Sequence, residues 1–314
     1  MKLSIVSTMY RSAPFIESFC ERMLRAAERE TNEFEIILVN DGSPDESLQL
    51  ALEQRRKDSR IQIVDLSRNF GHHAAIIAGL EHARGDRIFL IDCDLEEQPE
   101  WLPQFVERLE TSGADVVFGA QSERVASFWS NLFGEMFWLL LRRMSSVEVP
   151  RNPMTCRLMS RRYVDALLEV GDRVLYLASV FVWTGFRQES LALKKRPRPI
   201  ETHGSSYSLS RKLVQVVDSL SSFSAAPLTM IFFAGLVIWI GSILIGAYVA
   251  IEKVLYPETV LSGFTSVILS IWFLGGLIIL ILGILGLYVS KIFQEVKRRP
   301  LYIIRKLYLE TTND

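Results

Sequence analysis

The alternation of hydrophobic and polar positions divides the chain into two parts. In the first part, short apolar runs alternate with segments that mix charged and apolar residues, as in a soluble domain. Further along, the stretches 219–251 and 259–290 contain no Asp, Glu, Lys or Arg. We therefore expect a globular domain over 1–208 and long apolar segments after it.

Within the globular part, segments typical of strands alternate with segments typical of helices. β-rich apolar runs occupy 3–10, 33–43, 61–67 and 86–94, and helical patterns occupy 15–29, 44–56 and 72–83. Strands that alternate with helices form βαβ units, in which neighbouring strands are parallel. The pattern predicts an α/β fold with a mostly parallel sheet and flanking helices.

Three polar clusters fall where predicted strands end: 40–43, 67–71 and 92–94. In parallel α/β sheets, ligands bind at the carboxyl ends of the strands. Because these clusters meet at one edge of one sheet, we expect them to form a site.

Asp92 and Asp94 directly follow an apolar strand, and Glu96 comes next with a period of two. Carboxylates in this arrangement can hold a divalent cation and leave positions for phosphate oxygens, which is how magnesium is usually bound. Such a cation neutralises the charge that develops on a leaving diphosphate. The alternative is a solvated acidic turn; the position at a strand end favours the metal.

The other two clusters suggest nucleotide contacts. Asp41 follows a strand and can accept a hydrogen bond from a nucleobase N–H or a ribose hydroxyl, although Asn-Asp-Gly is also a strong turn signal. Asn69 and Gly71 precede a helix whose first N–H groups can face phosphates. The adjacent His72 and His73 lack the spacing of zinc ligands.

The segments 225–251 and 263–290 are each long enough to cross a bilayer, which takes roughly 20 apolar residues. The alternative is a pair of buried core helices, which seldom run so long without a charge. We predict a hairpin of two transmembrane helices over 225–290 and a tail over 291–314.

The charges beside these segments predict their orientation. The connector at 252–262 has one Lys and two Glu, whereas basic residues lie outside the pair, at Arg211, Lys212, Lys291, Lys297, Arg298 and Arg299. By the positive-inside rule, the globular domain and both termini are cytoplasmic. The three scattered cysteines suit a reducing compartment, and a net charge of −1 gives no reason to expect nucleic acid.

Two further segments have the character of helices that lie in the membrane interface. Residues 128–144 are rich in aromatic and apolar side chains and end near Arg142 and Arg143, and 209–224 is a second candidate. For 128–144, the alternative is a core helix. Interfacial helices would dock the edge of the sheet on the bilayer.

Four segments together, VNDGSPDES, LSRNFGHHAAIIAGLEHARGD, DCDLEEQPE and SSFSAAPL before an apolar run, resemble the polyprenyl-phosphate glycosyltransferases of glycosyltransferase family 2. The resemblance covers nearly the whole chain. It implies a GT-A fold and an inverting single displacement. A sugar would move from a nucleotide-sugar, with uridine as the first candidate nucleoside, to undecaprenyl phosphate at the cytoplasmic face of the inner membrane.

The resemblance also implies roles for individual residues. The family's metal motif falls on Asp92 and Asp94, with a third position on Glu96, and implies Mg²⁺ or Mn²⁺. Its nucleotide contacts fall on Tyr10 and Asp41, to which we add Asn69, Gly71 and Asp92. Bacterial members with two spans resemble this chain most, which implies a homotetramer formed partly through the C-terminal tail.

The chain departs from the family pattern at three places, one of which is Glu201, where the family has an Arg before its G-x-S-x-Y segment. Ser12 stands where a glutamate usually contacts the nucleotide, and Thr155 stands where an acidic residue is often proposed as the base. A lipid monophosphate has a second pKa near 6, so it is ionised at neutral pH and does not strictly require a base. The departures therefore affect the choice of donor sugar more than the class of reaction.

The acceptor phosphate needs cationic residues instead. Arg124 stands where the family holds an arginine for the acceptor phosphate, and Arg157 is a second candidate. A solvated surface arginine is the alternative for either of them. We assign the catalytic centre to Asp94, Thr155 and Arg157.

The sequence also bears on two rival functions. A processive polysaccharide synthase would need more spans and a Q-x-x-R-W motif, and the sequence has neither. A non-catalytic scaffold that kept the fold is favoured by Ser12 and Thr155, but the intact Asp92-Cys93-Asp94 motif argues against it.

Overall fold

A computed structural model describes residues 2–121, 153–172, 177–195 and 264–309. The described residues fall into two compact units, one with the residues up to 195 together with 299–309, and the other with 264–298. Arg124, the two interfacial segments at 128–144 and 209–224, and the first apolar span at 225–251 lie outside the described residues.

The first unit begins with four parallel strands, β1 Leu3–Met9, β2 Phe34–Asn40, β3 Ile61–Leu66 and β4 Arg87–Leu90. Three helices connect them, α1 Ala13–Glu30, α2 Ser47–Lys57 and α3 His72–His82. Each of the predicted strands and helices in this region is present. Because the strands are parallel, their carboxyl ends meet at one edge of the sheet.

A short 3₁₀ turn, Pro99–Trp101, leads into α4 Leu102–Ser112. The sheet then continues with β5 Val116–Gln121, β6 Pro153–Ser160 and β7 Gln188–Leu193, with helices α5 Arg161–Glu169 and α6 Leu177–Trp183 between β6 and β7. The strand order is β7-β5-β6-β4-β1-β2-β3-β8, where β8 is Ile304–Tyr308. Strand β6 is antiparallel to both of its neighbours, and β8 is antiparallel to β3. The predicted α/β class with a mostly parallel sheet is therefore confirmed.

The central strands are buried because helices cover the sheet. All seven residues of β2 are buried, which explains why its sequence is a nearly continuous apolar run rather than an alternating one. Helix α1 packs its apolar side chains, among them Phe15, Phe19 and Met23, into the same core. This packing fixes the strand ends from which the site is built.

Strand β8 changes the predicted organisation of the C-terminal region. The segment 291–314 was expected to be a tail, but Ile304–Tyr308 pairs with β3 and forms the last strand of the sheet. The guanidinium of Arg55 donates to the carbonyl oxygens of Tyr308 at 3.0 Å and Leu309 at 2.7 Å. Part of the tail thus belongs to the globular unit, where it covers the edge of β3.

Helix α7, Phe264–Lys297, has 34 residues and carries exposed apolar side chains that include Ile271, Ile278, Leu282 and Val289. It continues beyond residue 290, where the second predicted span ended. Among the described residues, no helix meets the combined requirement of length and apolar content for a membrane span. The two-helix hairpin stays a prediction.

Candidate active site

The loop after β1 is held by the loop after β2. The backbone N–H of Arg11 donates to Ser43 Oγ at 2.7 Å, and that of Ser12 donates to Ser47 Oγ at 2.9 Å. Arg11 has a φ of 54°, a conformation that residues other than glycine seldom adopt. Tyr10 lies beside it at the end of β1 with 45% of its surface exposed, which leaves its ring accessible to a ligand.

Asp41 ties the loop after β2 to the loop after β3. Its buried carboxylate accepts the backbone N–H of Phe70 at 2.7 Å and of Gly71 at 3.1 Å. Burial raises the Asp41 pKa, although both hydrogen bonds act to lower it. The nearby Gly42 has a φ of 59°, and a Cβ on it would lie 2.4 Å from the carbonyl carbon of Arg68. The predicted contact of Asp41 with a nucleobase stays a prediction. In the structure, Asp41 joins the loop after β2 to the loop after β3.

The third cluster leads into helix α3. Gly71, with a φ of 97°, is the residue that caps this helix, and Asn69 is exposed just before it. His72 follows, with Nδ1 3.1 Å from Thr8 Oγ1 and Nε2 3.7 Å from Asp92 Oδ1. The start of α3 thus lies beside the carboxylates that follow β4, and His72 joins the site.

Asp92 and Asp94 occupy the loop after β4, at the same edge of the sheet. The loop turns at Leu95, which has a φ of 62°, and the N–H of Glu96 donates to Asp94 Oδ1 at 3.1 Å. Burial raises the Asp92 pKa, as does the charge of Asp94, while His72 and a hydrogen bond from the Thr155 hydroxyl lower it. The charge of Asp94 therefore adds to the cost of ionising Asp92.

Glu97, which the sequence analysis missed, has no exposed surface. One carboxylate oxygen accepts the N–H of Thr155 at 3.0 Å, and the other accepts the N–H of Asp92 at 3.3 Å. Burial and the charge of Asp92 raise the Glu97 pKa to about 7, against the opposing charge of Lys195. Glu97 therefore joins the carboxylate loop to the start of β6.

Lys195, just after β7, brings a positive charge to these carboxylates. Its Nζ lies 3.5 Å from Glu96 Oε2 and 3.8 Å from Glu97 Oε1. Burial acts to lower the Lys195 pKa, but the charges of Glu97 and Glu96 outweigh it and raise the pKa. No local pattern could have found this residue, because it lies about a hundred positions from its partners.

Thr155 and Arg157, both on β6, have different surroundings. The Thr155 hydroxyl reaches the Asp92 carboxylate. Arg157 is buried; its guanidinium donates to the carbonyl oxygens of Thr155 and Met154, each at 3.1 Å, and lies over the ring of Phe181 at 3.4 Å. Burial lowers the Arg157 pKa. Thr155 therefore borders the predicted site, whereas Arg157 is bonded to the backbone of its own strand.

Residues 4–168 of this chain match the family described as Glycosyl transferase family 2. The chain belongs to glycosyltransferase family 2. It is 41% identical over 308 residues to a protein of Mycobacterium tuberculosis named among putative glycosyltransferases, which covers 98% of this chain and 89% of the relative. It is 31% identical to the SfII prophage-derived bactoprenol glucosyl transferase of Shigella flexneri, over 98% of each chain.

Among solved structures, this glycosyltransferase is similar to the glucosyl-3-phosphoglycerate synthase of Mycobacterium tuberculosis in complex with Mn²⁺, uridine diphosphate and glucosyl-3-phosphoglycerate. The sequence identity is 19% and the TM-score is 0.48, with 70% of this chain and 79% of that chain covered.

The acidic side chains after β4 are the candidates to hold a metal ion in this glycosyltransferase. In the part of the chain that the structure describes, no three or more His, Cys, Asp or Glu side chains are grouped to hold one. Asp92 and Asp94 suit a site with two carboxylates, which magnesium commonly completes with substrate phosphates and water. Glu96 is paired with Lys195, and its predicted role as third ligand stays a prediction.

The structure brings most of the predicted site residues to one edge of the sheet. Loops after β1, β2, β3 and β4 carry the predicted nucleotide and metal residues Tyr10, Asp41, Asn69, Gly71, Asp92 and Asp94. Thr155 joins them from β6. The roles assigned to these residues stay predictions.

Proposed function

We propose that this glycosyltransferase moves a sugar from a nucleotide-sugar, with a UDP-sugar as the first candidate, to a polyprenyl phosphate such as undecaprenyl phosphate, with inversion at the anomeric carbon. One observation carries the proposal. The carboxylates Asp92 and Asp94, the start of α3 and Thr155 share one edge of the sheet, in a chain that aligns over 98% of its length with a bactoprenol glucosyl transferase.

The donor occupies the loops after β1, β2 and β3 in this proposal. Tyr10 offers an exposed ring, and the N-terminus of α3 presents backbone N–H groups that favour phosphate oxygens. Asp92 and Asp94 would hold Mg²⁺ or Mn²⁺, which supplies charge neutralisation to the leaving diphosphate. The charge of Asp94 raises the Asp92 pKa, and a cation bound between them would act in the opposite direction.

The acceptor attacks without a general base. An oxygen of the lipid phosphate forms a bond to the anomeric carbon while the bond from that carbon to the diphosphate breaks. Because the phosphate is ionised at neutral pH, no proton has to be removed. Thr155 fits this account, since its hydroxyl donates to Asp92 and its side chain has no basic group.

The cation that places the acceptor phosphate is Arg124 in this proposal. The other candidate, Arg157, is buried against Phe181 and bonded to backbone carbonyls, which argues against a contact with a lipid. Arg124 itself lies outside the described residues.

We also propose that the enzyme is a multi-pass protein of the inner membrane with its catalytic unit in the cytoplasm. The apolar runs 225–251 and 263–290 and the exposed apolar side chains of α7 support this. Strand β8 adds a topological argument. Because it belongs to the same sheet as β1–β7, these strands and residues 304–308 lie on one side of any bilayer, which requires an even number of spans between β7 and β8. Assembly as a homotetramer is part of the proposal.

A transfer assay tests the proposal. Full-length protein is incubated with undecaprenyl phosphate, Mn²⁺ and a panel of radiolabelled nucleotide-sugars, and lipid-linked label is counted after extraction. One donor should give a labelled lipid that mild acid hydrolyses, and omission of undecaprenyl phosphate should remove the signal. If no donor in the panel yields labelled lipid, while Mn²⁺ and nucleotide still bind, the transfer function is wrong for this chain.

A further inference from the structure

The segment around β8 is hydrogen-bonded to Ser67, the first residue after β3. Ser67 donates its N–H to the carbonyl oxygen of Ile303 at 2.8 Å, and its own carbonyl oxygen accepts from Arg305 at 2.6 Å. Both backbone groups of Ser67 are therefore bonded to the segment around β8. The next four residues, 68–71, form the loop that precedes α3.

Arg305 reaches this position because the pairing of β8 with β3 is irregular. Lys306 pairs with Asp65 and Ile304 pairs with Leu66, so that Arg305 is an extra residue in the ladder. Such a bulge redirects a side chain relative to regular pairing. The guanidinium of Arg305 thus lies at the end of β3, 3.7 Å from Asp65 Oδ2 as well as bonded to Ser67.

A chain of polar contacts continues from Arg305 to the loop after β2. Asp65, which is 2% exposed, accepts a hydrogen bond from Asn40 Nδ2 at 2.8 Å. Asn40 Oδ1 in turn accepts the backbone N–H of Ser43 at 3.2 Å, and Ser43 Oγ accepts the N–H of Arg11 at 2.7 Å. The loops after β1, β2 and β3 are thus linked to one residue near the end of the chain.

The loops after β2 and β3 also contact each other directly. Asp41 bonds the N–H groups of Phe70 and Gly71, and Gly42 lies against the backbone of Arg68. A shift of Ser67 would therefore move the surroundings of the proposed nucleotide site.

We propose that Arg305 is a positioning residue for the donor nucleotide. It holds the loop after β3 through Ser67, and the loop after β2 through Asp65 and Asn40, so that the C-terminal strand sets donor affinity. This inference rests on the proposed function, because it assigns the donor to those loops. The part of the chain that follows the apolar segments then serves the donor site directly.

The test measures nucleotide binding on the purified full-length chain. Among UDP, GDP, CDP and dTDP, the one that binds wild type most tightly with Mn²⁺ is titrated into each variant by calorimetry. Arg305→Gln should weaken binding about three- to tenfold, as loss of a hydrogen bond predicts. Arg305→Lys should recover part of the loss. In turnover, Arg305→Gln should raise the donor KM and leave kcat and the KM for undecaprenyl phosphate unchanged.

Lys306→Gln is the matched control, because it removes the same charge from the next residue. The Nζ of Lys306 packs over the Tyr308 ring at 4.8 Å. The nucleotide affinity of Lys306→Gln should stay within about twofold of wild type, a smaller change than loss of a hydrogen bond to a charged group gives.

A double variant tests whether Asp65 and Arg305 act together. Asp65→Asn combined with Arg305→Gln should weaken nucleotide binding by less than the product of the two single effects.

Equal nucleotide affinity in wild type and Arg305→Gln, or an equal loss in Lys306→Gln, overturns the inference and leaves the proposed function intact. If wild type binds none of the four nucleotides, the proposed function fails, and the inference fails with it.

Discussion

At the scale of single residues, the acidic side chains after β4 differ in burial and in role. Asp92 and Asp94 are half-buried at the strand edge, whereas Glu97 is fully buried and accepts N–H groups from two different elements. A buried carboxylate is costly unless hydrogen bonds and an opposite charge compensate it, and here Thr155, Asp92 and Lys195 supply them. Glu97 therefore sets the position of the Asp92 backbone relative to β6.

Substitutions at Thr155 and Arg124 distinguish a mechanism without a general base from one that requires a general base. Thr155→Ala removes one hydrogen bond to Asp92, worth about 0.5–1.5 kcal/mol, so kcat should fall by no more than about tenfold. Arg124→Ala should cost about 1.5–3 kcal/mol in kcat/KM for the lipid and recover partly at higher lipid concentration. Initial rates over a range of undecaprenyl phosphate concentrations check both. A loss in Thr155→Ala as large as in Asp94→Asn would show that the hydroxyl orients a substrate.

The three cysteines should be unreactive in the folded protein. Burial raises the thiol pKa of Cys20 and Cys93 to about 12, and that of Cys156 well above its ordinary value. Because the thiolate is the reactive form, labelling by iodoacetamide at pH 8 should be slow in native protein and complete in denaturant, as counted by mass spectrometry. Rapid modification of native protein at any of the three would contradict the packing described around them.

At the scale of elements, the site depends on loops that pack backbone against backbone. Gly42 permits the closest of these approaches, while Gly113 at the end of α4 has a similar φ of 62° with nothing within 4 Å of its Cβ position. The two glycines share a left-handed conformation and differ in the space around them. They form a natural pair for separating conformational strain from steric overlap.

Gly42→Ala should destabilise the protein more than Gly113→Ala. The second change costs strain alone, about 1–2 kcal/mol, whereas the first adds overpacking worth about 1–3 kcal/mol. The midpoint of thermal unfolding should therefore be lower for Gly42→Ala, and only this variant should also lose nucleotide affinity. If Gly113→Ala were equally destabilised and equally weakened in binding, the packing of the loop after β2 on the loop after β3 would not matter.

The sequence predicted elements where periodicity is local and strong. Strands β1–β4 and helices α1–α3 have clear apolar patterns, and the polar clusters at the strand ends marked the position of the site. Strand β8, with the sequence IRKLY, has no alternating pattern that distinguishes it from a charged tail, and its partner β3 lies more than two hundred residues away. The sequence did not predict the role of Lys195 or the hydrogen bond between Glu97 and Thr155 for the same reason. Both depend on contacts between residues that are far apart in the chain.

At the scale of the whole molecule, the apolar C-terminal part is an insertion in the catalytic unit. Residues 299–309 return to that unit after α7, so the sheet is completed only when the last strand is in place. A chain that ends before residue 299 would leave β3 at the edge of the sheet, and Ser67 and Asp65 would lose their contacts with Ile303 and Arg305. The C-terminal strand is thus part of the enzyme's fold rather than an appendage.

Reporter fusions test the topology that follows. Green fluorescent protein after Asp314 should fluoresce, because the last strand belongs to the cytoplasmic catalytic sheet in our proposal. Alkaline phosphatase inserted at 252–262 should be active, since the positive-inside rule places that connector outside. Alkaline phosphatase fused after Asp314 should be inactive, and activity there would contradict the compartment proposed for the reaction.

The most direct test of the central claim is sugar transfer by Asp94→Asn. Asp94 follows β4 at the edge where the donor loops meet, and the substitution keeps its size while removing the charge that a metal ion needs. The variant should keep the thermal unfolding midpoint of wild type and lose at least about a hundredfold in transfer of label to undecaprenyl phosphate, the upper end of what loss of a mere supporting residue of a metal site costs. Transfer within tenfold of wild type by the folded variant would contradict the account.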